Sequence, residues 1–355
     1  MSLLELQRPQ KPRPIVVIGA GGIVRDAHLP AYRKAGFQIA SIFDPDQERA
    51  RSLAQAFAID RVASSLGEAV SNAPKDAVYD VATPPGAFLD VLRSLPEGSS
   101  VLMQKPMGED LGRAGQIREL CRAKKFRAAV NFQLRYAPAV RAARNMIAKG
   151  TIGELHDMEV RVTVYTPWHL WSFLEGMPRM EILNHSVHYL DLIRSFLGEP
   201  ASVYAKTVKH PKMAKLASTR SNIILDYGDT LRANITTNHG HEYGLKQQES
   251  YIKWEGTRGA IKIRAGLLMD YPKGVPDLFE YCVLEPKAPP EWQTLEIEGS
   301  WFPDAFMGTM ADLMCFAEGS AHELPGSVED AYKTMAVVEA AYASNDGGGT
   351  RVVHD

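Results

Sequence analysis

The stretch Ile15-Val16-Val17-Ile18-Gly19-Ala20-Gly21-Gly22-Ile23-Val24 decides the fold. Four consecutive β-branched residues suit a strand buried on both faces of a parallel sheet. Glycines follow directly, and a helix-compatible segment runs on to about Lys34. Strand, glycine turn and helix in that order make an anion cradle. Without a Cβ the backbone turns tightly and can approach a pyrophosphate, and the N–H groups at the helix start point at it. Gly19, Gly21, Gly22, Ile23 and Val24 are therefore expected to line a dinucleotide. Val24 stands where the fingerprint has its third glycine.

Outward from this turn, residues 39–43 form a second apolar run that ends at Asp44. A carboxylate there can accept from both ribose hydroxyls and repels a 2′-phosphate, which favours NAD over NADP. Arg49 and Arg51 are the nearby groups that a 2′-phosphate would use, and Asp44 before Pro45 also suits a turn cap. Residues 47–57 read as helix. Residues 77–82 and 100–103 read as strands, closed by Thr83-Pro84-Pro85 and by Gln104-Lys105-Pro106. Leu111, Ala114, Ile117 and Cys121 then recur at helical spacing. Alternation of strand and helix predicts a doubly wound α/β domain of Rossmann type.

Past Asn131 the texture changes. A helix over 138–149 precedes strand candidates at 155–165, 202–208, 222–227, 231–238, 251–254 and 260–263, with a hairpin turn at Asp226-Tyr227-Gly228-Asp229. A late helix is expected over 327–343. This half reads as α+β with a large, mainly antiparallel open sheet. A chain of 355 residues exceeds one comfortable core. The expected division is a loose tail at 1–13, a nucleotide-binding domain at 14–130 and a second domain at 131–355.

The net charge of −2 gives no reason to expect nucleic acid or an anionic membrane as partner. No apolar stretch suits a signal peptide or a bilayer span, so a cytoplasmic location is expected. Cys121, Cys282 and Cys315 lie far apart and read as reduced thiols.

Three features carry candidate chemistry. Lys105 follows a buried strand, at the end of the sheet where such folds bind ligands, and apolar neighbours favour a lowered pKa. Asn184, His188, Asp191 and Ser195 share one stripe of an otherwise apolar helical segment, 180–197, where polar groups need partners. A substrate hydroxyl is one such partner. An aromatic loop, Tyr165-Thr166-Pro167-Trp168-His169-Leu170-Trp171, precedes this helix, followed by Arg179. Exposed indoles suit sugar rings and Arg suits a carboxylate or phosphate; a hydrophobic lid or oligomer contact is the competing reading. His185 with His188 and Asp191, or His239 with His241, are weak metal patterns, and no metal is expected.

In this order and spacing the marks resemble the glucose-fructose oxidoreductase / inositol dehydrogenase / rhizopine catabolism (Gfo/Idh/MocA) family over nearly the full length. They are Gly19-x-Gly21 with His28 and Pro30, Val81-Ala82-Thr83-Pro84-Pro85, Lys105-Pro106 with Gln104 in place of Glu, Asn131-x-x-x-Arg135-x-x-Pro138, His188-Tyr189-Leu190-Asp191 and Gly256-Thr257-x-Gly259. The resemblance implies an NAD-dependent oxidoreductase acting on a polyol. It places Thr83 and Pro84 beside the nicotinamide ribose and makes Lys105 and His188 the polar pair at the reacting carbinol. It also implies homodimers or homotetramers built on the sheet face. His188 is the better base on intrinsic grounds, with Lys105 stabilising the developing alkoxide. Arg135, Tyr165, Trp168, Arg179, Asn184 and His185 are the candidate substrate contacts. Many members have Asp where this chain has Asn184, and Asn cannot act as a base. That makes a non-catalytic NAD-binding sensor one rival class; an NAD-dependent redox-neutral glycosidase on the same fold is another.

Overall fold

The structure, a computed structural model, describes residues 6–352, apart from the Ser172 side chain. The chain forms two compact units, Met1–Arg141 with Gly299–Met335, and Ala142–Glu298 with Ala336–Asp355. This differs from a single cut after residue 130. The chain returns to the first unit because a late helix completes the packing on its sheet.

The first unit opens with β1 (Ile15–Ile18), followed by α1 (Leu29–Ala35), β2 (Ile39–Phe43), α2 (Gln47–Phe57), α3 (Leu66–Ser71), β3 (Val78–Val81), α4 (Phe88–Ser94), β4 (Ser100–Met103), α5 (Leu111–Ala123) and β5 (Arg127–Val130). The strands are parallel and ordered β2-β1-β3-β4-β5. Every residue of β1, β3 and β4 is buried, as a sheet covered on both faces requires. In such a sheet the carboxyl ends of all strands lie along one edge. Gly19, Asp44, Thr83, Lys105 and Asn131 all follow those ends. The leader is less loose than expected. Gln10 and Lys11 donate backbone N–H groups to the Glu318 carboxylate (3.0 and 3.2 Å), while residues 1–5 of the expected tail lie outside the described residues.

Helix α6 (Pro138–Ala148) carries the chain from the first unit into the second. There β6 (Leu155–Thr163), α7 (Val187–Leu197), β7 (Ser202–Val208), β8 (Arg220–Asp226), β9 (Arg232–Asn238), β10 (Glu249–Gly256), β11 (Gly259–Arg264), β12 (Leu278–Val283) and β13 (Trp292–Leu295) follow in turn. The sheet order is β13-β12-β11-β10-β6-β9-β8-β7, antiparallel except for the parallel pair β6–β9. Burial alternates along β8 and β10, so one face is packed and the other open. Phe196 of α7 lies on Trp254 of β10 with ring centroids 5.2 Å apart. The chain then re-enters the first unit as α8 (Ala305–Glu318), and α9 (Val328–Gly347) crosses back. No helix among the described residues is long and apolar enough to cross a membrane.

Candidate active site

In the first unit the glycine turn is built as a cradle. Gly19 has φ +109°, and a Cβ there would sit 2.5 Å from the Ala82 carbonyl oxygen, so only glycine fits. Its N–H donates to the Phe43 carbonyl (2.7 Å), which ties the ends of β1 and β2. At Gly21 no atom lies within 4 Å of where a Cβ would be. The space beside it is open to a ligand. Val24, at the third glycine position, is fully buried and opens a π turn, Val24–His28, wider than an α turn.

Asp44 acts as the turn cap, the second of the two roles the sequence offered. Its Oδ2 accepts from the Ala20 N–H (2.7 Å) and its Oδ1 from the Asp46 N–H (2.8 Å). The carboxylate thus fixes the glycine turn and caps its own turn. Each oxygen has a second lone pair to offer. Arg49 pairs with Asp46 (3.3 Å). At the end of β3, the Thr83 hydroxyl is buried without a hydrogen-bond partner among the described residues. A buried hydroxyl of this kind calls for a ligand group. With the glycine cradle it fits a dinucleotide.

Burial lowers the Lys105 pKa to about 8. Its backbone N–H donates to Gln104 Oε1 (2.8 Å), which turns the Gln104 amide N–H toward His28 Nε2 (3.3 Å). Asn131 is oriented in the same way. Its Oδ1 accepts from the Thr309 hydroxyl (2.8 Å), and its amide N–H faces His28 Nε2 (3.4 Å). Two donors at Nε2 make it the acceptor, so His28 Nδ1 carries the proton and donates to Asp80 Oδ2 (2.7 Å). Tyr32 donates to the same oxygen (3.0 Å). This buried network joins the first helix, three strand ends and α8, and meets the Lys105 backbone through Gln104. In the sequence only His28, Gln104 and Asn131 stood out, at family marks. Asp80 and Tyr32 did not, because the partners are 48 to 52 residues apart. Replacing His28 with Ala leaves the Asp80 charge buried and poorly paired, and is expected to cost about 3–4 kcal/mol of stability. A denaturant midpoint that drops with unchanged slope checks this; a loss under about 1 kcal/mol refutes the network's role.

In the second unit α7 presents His188 and Asp191, both buried. The preceding π turn, Ile182–Ser186, carries Asn184 and His185 and breaks the uniform α spacing assumed from sequence. The Asn184 amide donates to the Met180 carbonyl (3.1 Å). Ser195, the last member of the expected stripe, accepts from Arg144 (2.6 Å) and donates to Leu192 O (2.6 Å), so it braces α6 against α7.

Three expected substrate contacts have other partners. Trp168 is not an exposed platform: it is buried with Leu174, Met180 and Leu216, its ring edge-on to His239 (centroids 5.1 Å). Arg179 forms a two-pronged ion pair with Glu339 (2.7 and 2.9 Å) and stacks on Tyr342. Arg135, in the first unit, pairs with Asp330 (2.8 Å). Such guanidinium groups are committed to local carboxylates. Tyr165 remains 42% exposed and open to a ligand.

The sequence also passed over Glu181. It is fully buried and accepts from Ser186 (2.8 Å) and Ser221, with His239 Nε2 at 3.4 Å. Burial alone raises its pKa, but His239 and the two serines more than offset this and hold it below the usual carboxylate value.

Comparison with known proteins agrees with this geometry. Residues 13–132 match the family profile described as "Oxidoreductase family, NAD-binding Rossmann fold", and residues 140–262 match "GFO/IDH/MocA C-terminal domain". The chain belongs to the Gfo/Idh/MocA oxidoreductase family. It is 31% identical to 1,5-anhydro-D-fructose reductase of Ensifer adhaerens over 249 residues, 69% of this chain and 74% of that protein. It is 24% identical to D-apiose dehydrogenase of Paraburkholderia graminis over 94% of this chain and 88% of the relative. Among solved structures, a levoglucosan dehydrogenase in complex with NADH and levoglucosan superposes with a TM-score of 0.76 at 17% identity. That match covers 95% of this chain and 98% of the other. As a Gfo/Idh/MocA protein the chain is an oxidoreductase with an NAD-binding domain, and its named relatives are sugar dehydrogenases and reductases.

Proposed function

We propose that the chain moves a hydride between a secondary carbinol of a sugar, cyclitol or sugar acid and a nicotinamide, with NAD preferred over NADP. The observation that carries this reading is Lys105: a half-buried lysine whose desolvation lowers its pKa to about 8, on the strand-end edge that also bears the glycine cradle. Bound NAD supplies the hydride acceptor. Gly19 and Gly21 let the backbone approach the pyrophosphate, Asp44 accepts from the ribose hydroxyls and disfavours a 2′-phosphate, and Thr83 and Pro84 flank the nicotinamide end. Protonated Lys105 orients the substrate hydroxyl and stabilises the alkoxide as it forms. His188 takes the hydroxyl proton. Asn184 holds the turn before His188 without adding charge, Tyr165 and His185 contact the polyol, and the protein works as a homodimer or homotetramer.

The test mixes purified protein with NAD or NADP and a panel of aldoses, inositols, sugar acids and nucleotide sugars, and follows nicotinamide reduction. Turnover on one class, faster with NAD, is expected. NAD binding without turnover on any member points to the sensor, and glycoside cleavage without net NADH to the redox-neutral glycosidase. Light scattering on the same preparation reads the assembly, and a monomer refutes that part of the proposal.

A further inference from the structure

One cluster in the second unit, with Glu181 and His239 buried and His185 half-buried, shares only His185 with the hydride-transfer reading. Glu181, His185 and His239 each offer a ligand atom, and these atoms lie within 4.8 Å of one another. The rings of His185 and His239 stand edge to face with centroids 4.1 Å apart, and Trp168 closes one side. His239 Nε2 faces Glu181 Oε1 at 3.4 Å. That is long for a charged hydrogen bond, which closes to ~2.7–2.9 Å. It is close to the ~3.3 Å donor–donor edge of a tetrahedral zinc site with bonds of ~2.0–2.1 Å. The separations therefore need a closure of at most about 1.5 Å, shared between two side chains, to reach the same edge.

The groups behind these ligands are also arranged for a cation. His239 Nδ1 lies 2.8 Å from the Thr166 hydroxyl. A bound ion would take the place of the proton that Nε2 shares with Glu181, with Nδ1–H then donating to the Thr166 hydroxyl. Ser186 donates to one oxygen of the Glu181 carboxylate and Ser221 to the other, which fixes its orientation. The Tyr189 ring lies 5.5 Å from that of His185, and its hydroxyl is buried without a hydrogen-bond partner among the described residues. A water on the ion would satisfy it.

We propose that Glu181, His185 and His239 bind one divalent transition-metal ion of the zinc class, with its fourth position open to water or a ligand oxygen. Two imidazoles and one carboxylate suit zinc, iron, cobalt or nickel, whereas magnesium and calcium favour all-oxygen shells. His239 lies 58 residues from Glu181, so sequence spacing conceals the set. The proposal shares His185 with the hydride-transfer reading but is tested apart from it, because its readout is metal binding.

The test titrates Co²⁺, a coloured stand-in for Zn²⁺, into the untagged full-length chain after chelator treatment. Visible absorption of four- or five-coordinate Co²⁺ is expected to saturate at one equivalent and to be displaced by Zn²⁺. His185→Ala is expected to weaken binding at least about 100-fold, and Thr166→Val by about 10- to 100-fold through the second shell, with both variants folded by circular dichroism. His169→Ala, an exposed histidine in the same loop, leaves binding unchanged. No saturable Co²⁺ signal, equal binding by His185→Ala, or binding of Mg²⁺ alone each overturns the proposal.

Discussion

Lys105→Ala is expected to lower turnover about 10³-fold while NAD still binds. Loss of a positioned charge and proton-handling group at the reacting carbon is worth about 10²–10⁴-fold. The lysine backbone is fixed through Gln104, so truncation removes the ammonium without disturbing the strand end. The pH dependence sharpens the test. With the pKa lowered to about 8 by burial, kcat/KM of the free enzyme should fall as pH rises through that value, because the proposed role needs the ammonium. Lys105→Arg keeps a positive charge and should lose this inflection. A limb that rises instead exchanges the roles of Lys105 and His188. Full activity in the Ala variant sinks the assignment.

The same burial has a stability consequence. The unfolded chain keeps its lysine near the ordinary 10.5, so between about 8 and 10.5 it holds more protons than the folded chain, and stability rises with pH across that window. Below it, the desolvated ammonium costs up to about 3 kcal/mol. Lys105→Met should therefore stabilise the cofactor-free protein at neutral pH, and this gain should fade toward pH 10.5. Paired denaturation curves of the two chains at several pH values read the difference directly.

Gly19→Ala should damage both folding and cofactor binding. Its Cβ would lie 2.5 Å from the Ala82 oxygen and 2.8 Å from the Ala82 carbon, both backbone atoms, at a φ that alanine adopts poorly. Relief requires the ends of β1 and β3 to separate, next to the Thr83 hydroxyl. A stability loss of about 2–4 kcal/mol and a fall in NAD affinity of at least about 100-fold are expected. Gly21→Ala makes the contrast. Its Cβ meets open space, so the protein should fold normally and lose only cofactor affinity. Calorimetric titration with NAD and urea melts separate the two cases. NAD binding unchanged in both variants would remove the glycine turn from the site.

The strands and helices around the glycine turn were legible because β-branched runs and glycines report locally on backbone geometry. β5 escaped notice because Arg127-Ala-Ala-Val130 is short and alanine-rich. α8 escaped because Ala305–Glu318 is buried around most of its circumference and shows no polar face. Candidate site residues were legible by type but not by exposure. The aromatic loop read as an open platform, yet Leu216, far along the chain from Trp168, covers that indole. Arg179 read as an anion contact, yet Glu339, 160 residues later, takes it. Short-range pattern carries the strand-end edge of the parallel sheet. The pairings His28–Asp80 and Glu181–His239 depend on neighbours that only the folded sheets supply.

The return of residues 299–335 to the first unit sets an order of assembly. On the ribosome the glycine turn and its five strands emerge early, but Thr309, which orients Asn131 against His28, emerges only after residues 142–298 of the second unit. The nucleotide-binding unit must wait, with one flank uncovered, while a whole second unit is made. A chain halted after Glu298 would carry every residue of the glycine cradle and still lack the helix that completes its core.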